Sequence, residues 1–437
     1  MYALPELEDQ TLQPGVKGLP IVEPLRQHMI GAQHWNVLAA DTSLPVAVLK
    51  ESALQHNLAW MRAFCERHGV LLAPHGKTTM SPQLFAAQIE NGAWGITLAT
   101  VPQVQIAARF GVRRVILANE LVAPADIHAA LRLLQDDVHF EFFALVDSLQ
   151  GVERLSRAVQ AFGLERPLPL LVELGMKGKR AGCRDPEEVL AVARAIAAAP
   201  GLQLAGIEGY EGLVVTADRA ADVVVVNGFL QRMAEMLQAM ADEGLFGGGQ
   251  VIISAGGSAY FDRVASEFAG LSVGGKKVLP ILRSGCYLTN DHGYYGGLTS
   301  ELAAREGEAA GAGLRPALEV WTTVLSRPEP NLAILALGKR DASHDLGLPL
   351  PIAAHRPGGS EGKFGGGALA LPQGAVIDKM NDQHAYLRWP EGAAADLQVG
   401  DLVGCGISHP CTTFDKWPMM LVVDDAYNVL QAVNTFF

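Results

Sequence analysis

The chain has 437 residues, 49% hydrophobic and 18% charged, which is ample material for a large core and too little charge for a disordered chain. Lys and Arg total 34 against 46 Asp and Glu, and a net charge of −12 disfavours nucleic acid or anionic membrane as a partner. Charged residues interrupt every apolar run before the roughly 18 residues of a membrane span, MYALPELEDQ shows no secretory pattern, and five scattered cysteines form no disulfide framework, so a cytoplasmic enzyme is expected.

Residues 1–45 hold Pro5, Pro14, Pro20, Pro24 and Pro45 and read as an extended arm with one short helix. From Val46 a short strand, VAVLK, leads into ESALQHNLAWMRAFCERHG, whose apolar residues recur at three and four. Strand-like runs then alternate with helical ones: VLLAPH (70–75), AWGITLA (93–99), RVILAN (114–119), HFEFFALVD (139–147), PLLVELG (169–175), LQLAGIEGY (202–210), QVIISAG (250–256) and KVLPILR (277–283). Continuous apolar strands between amphipathic helices imply parallel strands covered on both faces. Eight such units in about 240 residues suit a (β/α)8 barrel better than an open doubly wound sheet. The predicted fold is therefore α/β, with an N-terminal TIM-like (β/α)8 barrel over 51–295. After residue 300 short β-rich runs replace the helices, predicting an antiparallel β domain built from 1–50 and 296–437, with Gly-rich 355–372 as a loop.

In such a barrel, working residues sit where strands end. The polar clusters fall there: His75-Gly76-Lys77-Thr78-Thr79 after the first strand, Lys177, Lys179 and Arg180 after the fifth, Tyr210-Glu211-Gly212 after the sixth, Gly256-Gly257-Ser258 after the seventh and Ser284-Gly285-Cys286-Tyr287 after the eighth. Lys77 is either a desolvated amine able to form an imine or an ordinary loop lysine. Gly256, Gly257 and Ser258 before a helix starting near Tyr260 form either a phosphate cup or a tight turn. Arg180 contacts either an acid or ring oxygen of a ligand, or a salt-bridge partner. His409 and Cys411, two apart in HPCTTFDKW, are a zinc-type donor pair, although catalytic zinc ordinarily takes three protein ligands. Cys65, Cys183, Cys286 and Cys405 have no comparable partner and read as buried structural thiols. His384, Thr413 and Asp415 either orient the metal pair or face solvent, and Trp417 is core packing or a pocket wall.

These motifs, taken together in order, resemble the D-serine dehydratase / D-threonine aldolase group of pyridoxal-phosphate enzymes, which share the alanine racemase fold. The resemblance rests on PHGKT, GMKGKRAG, GYEG, SAGGS, RSGCYLTND, TVLSRP, GKRDASHDLGLP and HPCTT, spread over nearly the whole chain. It implies that Lys77 is the Schiff-base lysine and general base, that His75, Arg180, Tyr210, Ser254, Gly256, Gly257, Ser258 and Tyr287 surround pyridoxal 5'-phosphate, and that His409 and Cys411 hold Zn2+. It further implies a homodimer acting on a small D-amino acid. Aldolases of the group tend to carry His-x-Asp at the metal pair, so Cys411 favours elimination of water over carbon–carbon cleavage. Ala73 and Thr79 depart from the arginine and histidine of the group's pattern and leave the preferred substrate side chain open. The expected reaction converts D-serine or a related β-hydroxy D-amino acid to a 2-oxo acid and ammonia. The alternatives are a D-threonine-type aldolase, a racemase using Tyr287, Tyr294 or Tyr295 as second base, and a cofactor carrier without turnover.

Overall fold

The computed structural model describes residues 4–305, 313–358 and 366–437, except 215, 217 and 248. The chain forms two compact units: one of Met61–Lys77 and Gln88–Gly285, the other of Met1–Trp60, Thr78–Ala87 and Cys286–Phe437.

The first unit is a ring of parallel strands, β1 (Leu71–Leu72), β2 (Ile96–Leu98), β3 (Arg114–Glu120), β4 (Glu141–Val146), β5 (Leu168–Leu174), β6 (Leu202–Gly209), β7 (Val251–Ala255) and β8 (Lys276–Leu282). The ring closes at β1, which pairs with β8 at Leu71↔Ile281, and just beyond it His75 bridges β2 at Thr97. All eight expected strands are present, and the barrel expectation holds. The interior is filled rather than hollow: Ala73, Ile116, Phe143, Leu145, Leu171, Ala205, Ile252 and Ile281, drawn from seven of the strand positions, form one buried cluster. Gly206 sits at φ +152°, and a Cβ there would lie 1.8 Å from the Ile252 carbonyl oxygen, so β6 and β7 approach as they do only because this residue has no side chain.

The helices between the strands follow from ordinary signals. In Leu149–Phe162 the Ser148 hydroxyl accepts from Gly151 N–H at 3.2 Å, and Gly163 closes the end at φ +77°. Val152, Leu155, Ser156 and Val159 form its buried stripe. In Pro186–Ala198, Asp185 caps Glu188 N–H at 3.0 Å, Pro occupies the first turn, and Val189, Val192, Ala193 and Ile196 face inward. Among the described residues no helix is long and apolar enough to cross a membrane.

The second unit is built on a sheet ordered Gly367–Leu369, Leu350–Arg356, Leu402–Gly406, Leu318–Glu329, Leu332–Leu335, Ala385–Arg388, Val376–Met380. Every pairing along this path is antiparallel, as expected; the exception lies off it, where Val46–Lys50 runs parallel to Met419–Val423. Two findings correct the sequence reading. The N-terminal arm is structured: after helix Pro5–Glu8, Thr11–Leu12 pairs with Leu25–Arg26. Its Leu12, Leu19, Ile21, Ile30 and Val37 are buried in one cluster with Trp321, Met419 and Val429. The proposed loop over 355–372 is flanked by paired strands, Ala354↔Leu369 to Arg356↔Gly367, and 359–365 lie outside the described residues.

Candidate active site

Parallel strands in a closed ring bring their C-terminal ends to one mouth. Beyond β1 the chain is held on both sides: Thr97 Oγ1 donates to the Ala73 carbonyl at 2.6 Å, and His75 N–H donates to the Arg283 carbonyl at 3.1 Å. A 3-10 turn, Gly76–Thr78, then carries the half-buried Lys77. His75 Nδ1 is sealed from solvent and, among the described residues, has no hydrogen-bond partner. Burial, with the cations of Lys77, Arg283 and Arg180 nearby, holds this imidazole well below its ordinary range, so it is neutral.

At the end of β7 the chain turns on Gly256, at φ +99°. The amides of Gly256 and Gly257 both donate to the Glu211 carboxylate, at 3.0 and 2.7 Å. The cup is therefore anion-accepting as built, and its occupant here is the protein's own carboxylate. A Cβ on Gly257 would meet the Tyr210 ring at 2.6 Å, so only glycine leaves the cup open. Ser284 braces it from behind by donating to the Gly256 and Gly257 carbonyls at 3.0 and 3.2 Å. Arg180 is exposed, its guanidinium 4.7 Å over the Tyr210 ring, and Ser258 is half-buried at the rim. Ser254 is fully buried and donates to the Ile281 carbonyl at 3.0 Å. Tyr287 is also buried, but it belongs to the second unit.

The mouth also holds acids that the sequence reading did not single out. Glu173 and Glu208 stand in register on β5 and β6, and Ser254 follows on β7. Buried Arg283 pairs with Glu208 and donates to the Gly209 carbonyl at 2.7 Å. Burial, a hydrogen bond with Glu120 and the neighbouring Glu208 push Glu173 up to about 10, so it carries a proton at neutral pH. Burial likewise raises Glu208 and Glu211. The available signal was a glutamate near the end of each apolar strand, in LLVELG and AGIEGY.

In the second unit His409 and Cys411 come together at the short helix Cys411–Phe414. His409 Nδ1 lies 2.7 Å from Asp345 Oδ2, and Thr412 Oγ1 donates to the other Asp345 oxygen at 2.8 Å. His409 N–H donates to Ser343 Oγ at 3.1 Å, and Thr413 Oγ1 donates to the His409 carbonyl at 3.1 Å. Burial alone would lower the imidazole, but its hydrogen bonds to Cys411 and Asp345 hold it up at about 9. A contact from Cys286, together with His409 and Thr78, holds the Cys411 thiol well below its ordinary value against the opposing effect of burial.

The reading of Cys286 as an isolated thiol is corrected: its Sγ is 3.7 Å from Cys411 Sγ. The two are 125 residues apart, a proximity that no spacing rule reveals. Thr413 is buried and tied to the His409 carbonyl, whereas His384 and Asp415 are exposed, and Trp417 is buried with Nε1 donating to the Asp341 carbonyl at 2.8 Å. Tyr295 lies 6.2 Å from His409 between ring centroids and stacks edge-on with Tyr294. Among the described residues no set of three or more His, Cys, Asp or Glu forms a metal cage.

An eight-stranded barrel with a lysine beyond its first strand, an anion cup beyond its seventh and a separate β unit defines an α/β protein of the alanine racemase-like fold. The family model "Alanine racemase, N-terminal domain" matches residues 49–274, and the chain belongs to that family. A second model, "Putative serine dehydratase domain", matches residues 317–423. The chain is 26% identical over 394 residues to the D-threonine aldolase of Arthrobacter sp, covering 88% of this chain and 90% of that one. It is 28% identical over 315 residues to the 3-hydroxy-D-aspartate aldolase of Paracoccus denitrificans (strain Pd 1222), covering 71% and 76%. It is also similar to the D-threo-3-hydroxyaspartate dehydratase of Delftia sp. HT23, whose solved structure has a TM-score of 0.70 at 21% identity, covering 92% of this chain and 99% of that one. Solved variants of a D-threo-3-hydroxyaspartate dehydratase include one with a cysteine replaced, in a metal-free form, and one with the histidine two residues earlier replaced.

Proposed function

We propose that the chain is a pyridoxal-phosphate-dependent, metal-assisted dehydratase of 3-hydroxy D-amino acids, acting as a homodimer and releasing a 2-oxo acid and ammonia. With D-serine the products are pyruvate and ammonia. The observation that carries this reading is the His409-x-Cys411 pair oriented by Asp345, at the spacing of the two positions altered in the dehydratase variants.

The residues suit both groups. Two amides that already hold a carboxylate suit a phosphate, and one imidazole nitrogen with one thiolate sulfur suits zinc while leaving positions open for substrate. When bound, pyridoxal phosphate supplies an electron sink for charge left at Cα, and zinc a Lewis acid for the departing hydroxyl. Lys77 would hold the cofactor through Nζ, and the same nitrogen would serve as the base that takes the Cα proton. Gly256 and Gly257 N–H, which now donate to the Glu211 carboxylate, would hold the phosphate. Asp345 would keep the proton on His409 Nδ1, so that metal binding displaces only the Nε2 proton, and Thr412 fixes Asp345 in turn. Neutral His75 adds no further positive charge beside Lys77.

The test is pyruvate release from D-serine by the cofactor-loaded protein, before and after a strong chelator and again after added zinc. Loss on chelation and recovery with zinc are expected; equal rates throughout contradict the metal assignment. A Lys77→Ala protein that keeps the visible absorbance of the loaded enzyme removes Lys77 from its role. A second reading, carbon–carbon cleavage, is favoured by the similarity to two aldolases.

A further inference from the structure

Cys411 has a sulfur neighbour. Its Sγ lies 3.7 Å from Cys286 Sγ, and Thr78 Oγ1 lies 3.3 Å from Cys411 Sγ and 4.0 Å from Cys286 Sγ, closing a triangle. Cys286 is buried, whereas Cys411 is the one cysteine of the five that is partly exposed. The other three are of a different kind: Cys65, Cys183 and Cys405 are buried, and burial pushes each thiol up to about 12, away from the thiolate that oxidants attack.

We propose that Cys286 and Cys411 form a peroxide-sensitive dithiol, in which oxidation joins the two sulfurs and withdraws Cys411 from metal binding. The disulfide follows from the sulfur geometry alone; the loss of metal rests on the function proposed above. Cys411, the accessible partner, meets hydrogen peroxide first. Its sulfur takes one peroxide oxygen, giving a sulfenic acid and one water. Cys286 then attacks that sulfur, the S–O bond breaks, and a second water leaves with the Cys286 proton. Two thiols and one peroxide thus become one disulfide and two waters, the sulfurs being oxidised and the peroxide reduced. Bond formation closes the sulfurs from 3.7 Å to about 2.04 Å. Cys286 is buried at 5% exposure, so it is shielded from direct attack and placed as the resolving thiol.

The test uses the full chain, metal-loaded and chelated, treated with excess hydrogen peroxide and digested without reduction. The expected product is a peptide linking Cys286 to Cys411, two hydrogens lighter than its parts and cleaved by dithiothreitol. Prior loading with zinc is expected to slow its formation at least tenfold. In Cys286→Ala and Cys286→Ser the link is absent and Cys411 proceeds to the sulfinic acid. Oxidation of Cys411 to the sulfinic acid in the unaltered chain, with Cys286 untouched, overturns the proposal, as does linkage to any other cysteine. A Cys286–Cys411 link formed equally fast with and without zinc keeps the dithiol and refutes Cys411 as a metal ligand.

Discussion

Replacing Asp345 by Ala tests whether His409 is held as a metal ligand. In the structure the carboxylate receives His409 Nδ1 at 2.7 Å and Thr412 Oγ1 at 2.8 Å, so the substitution removes both the contact that fixes the tautomer and the one that fixes the acid. Second partners of metal-binding histidines are ordinarily worth about 10–100-fold in affinity, or roughly 1.4–2.7 kcal/mol. The Asp345 side chain is 43% exposed, and solvent screening places the loss at the lower end, about tenfold. The assay is competition for zinc against a chromophoric chelator, with D-serine turnover followed at matched free zinc. Asp345→Asn, which can still accept from Nδ1, is expected to fall between the parent and Asp345→Ala. Unchanged zinc affinity in Asp345→Ala would refute the orienting role; a fall in turnover that saturating zinc does not restore would place Asp345 outside the metal site.

Three further outcomes are expected. Gly257→Ala puts a Cβ 2.6 Å from the Tyr210 ring, and should weaken cofactor binding at least tenfold in an absorbance titration, whereas Gly228→Ala, with nothing within 4 Å, should leave it unchanged. Glu173 ionises near 4.5 unperturbed but near 10 when folded, raised by burial, so the folded chain binds the extra proton between these values and loses stability as pH rises through them. Glu173→Gln removes that slope: its Tm should exceed the parent's at pH 9 and approach it near pH 5, and a constant gap would refute the assignment. Lys17→Ala should lower Tm by a few degrees, because Lys17 Nζ sits 2.7 Å from buried Asp341 and 3.9 Å from the Trp417 ring centroid; no change in a thermal melt would make the arm's tie dispensable.

The barrel was legible because its strands are buried on both faces, so RVILAN or QVIISA reads as a continuous apolar run, and helical stripes such as Val189, Val192, Ala193 and Ile196 recur at three and four. Placing polar clusters at strand ends then followed from the fold. The N-terminal arm was not legible, because Leu12, Leu19, Ile21, Ile30 and Val37 are irregularly spaced and gain their burial from the distant Trp321 and Met419. Contacts of long range in sequence were equally silent: Asp345 stands 64 residues before His409, and Cys286 stands 125 before Cys411. Glu211 was noted only as part of Tyr210-Glu211-Gly212, and its grip on the cup amides depends on how β6 and β7 lie side by side. Glu173 and Glu208 were visible as lone charges in apolar strands, yet their shared layer required the register of β5 and β6.

The most direct test of the central claim gives the cofactor- and zinc-loaded protein D-threonine and measures 2-oxobutyrate and glycine in the same sample. Loss of water with the Cα–Cβ bond intact predicts 2-oxobutyrate with ammonia in equal amount and no glycine. Glycine with acetaldehyde, and no 2-oxobutyrate, would contradict it and show that the His409-x-Cys411 pair does not select dehydration.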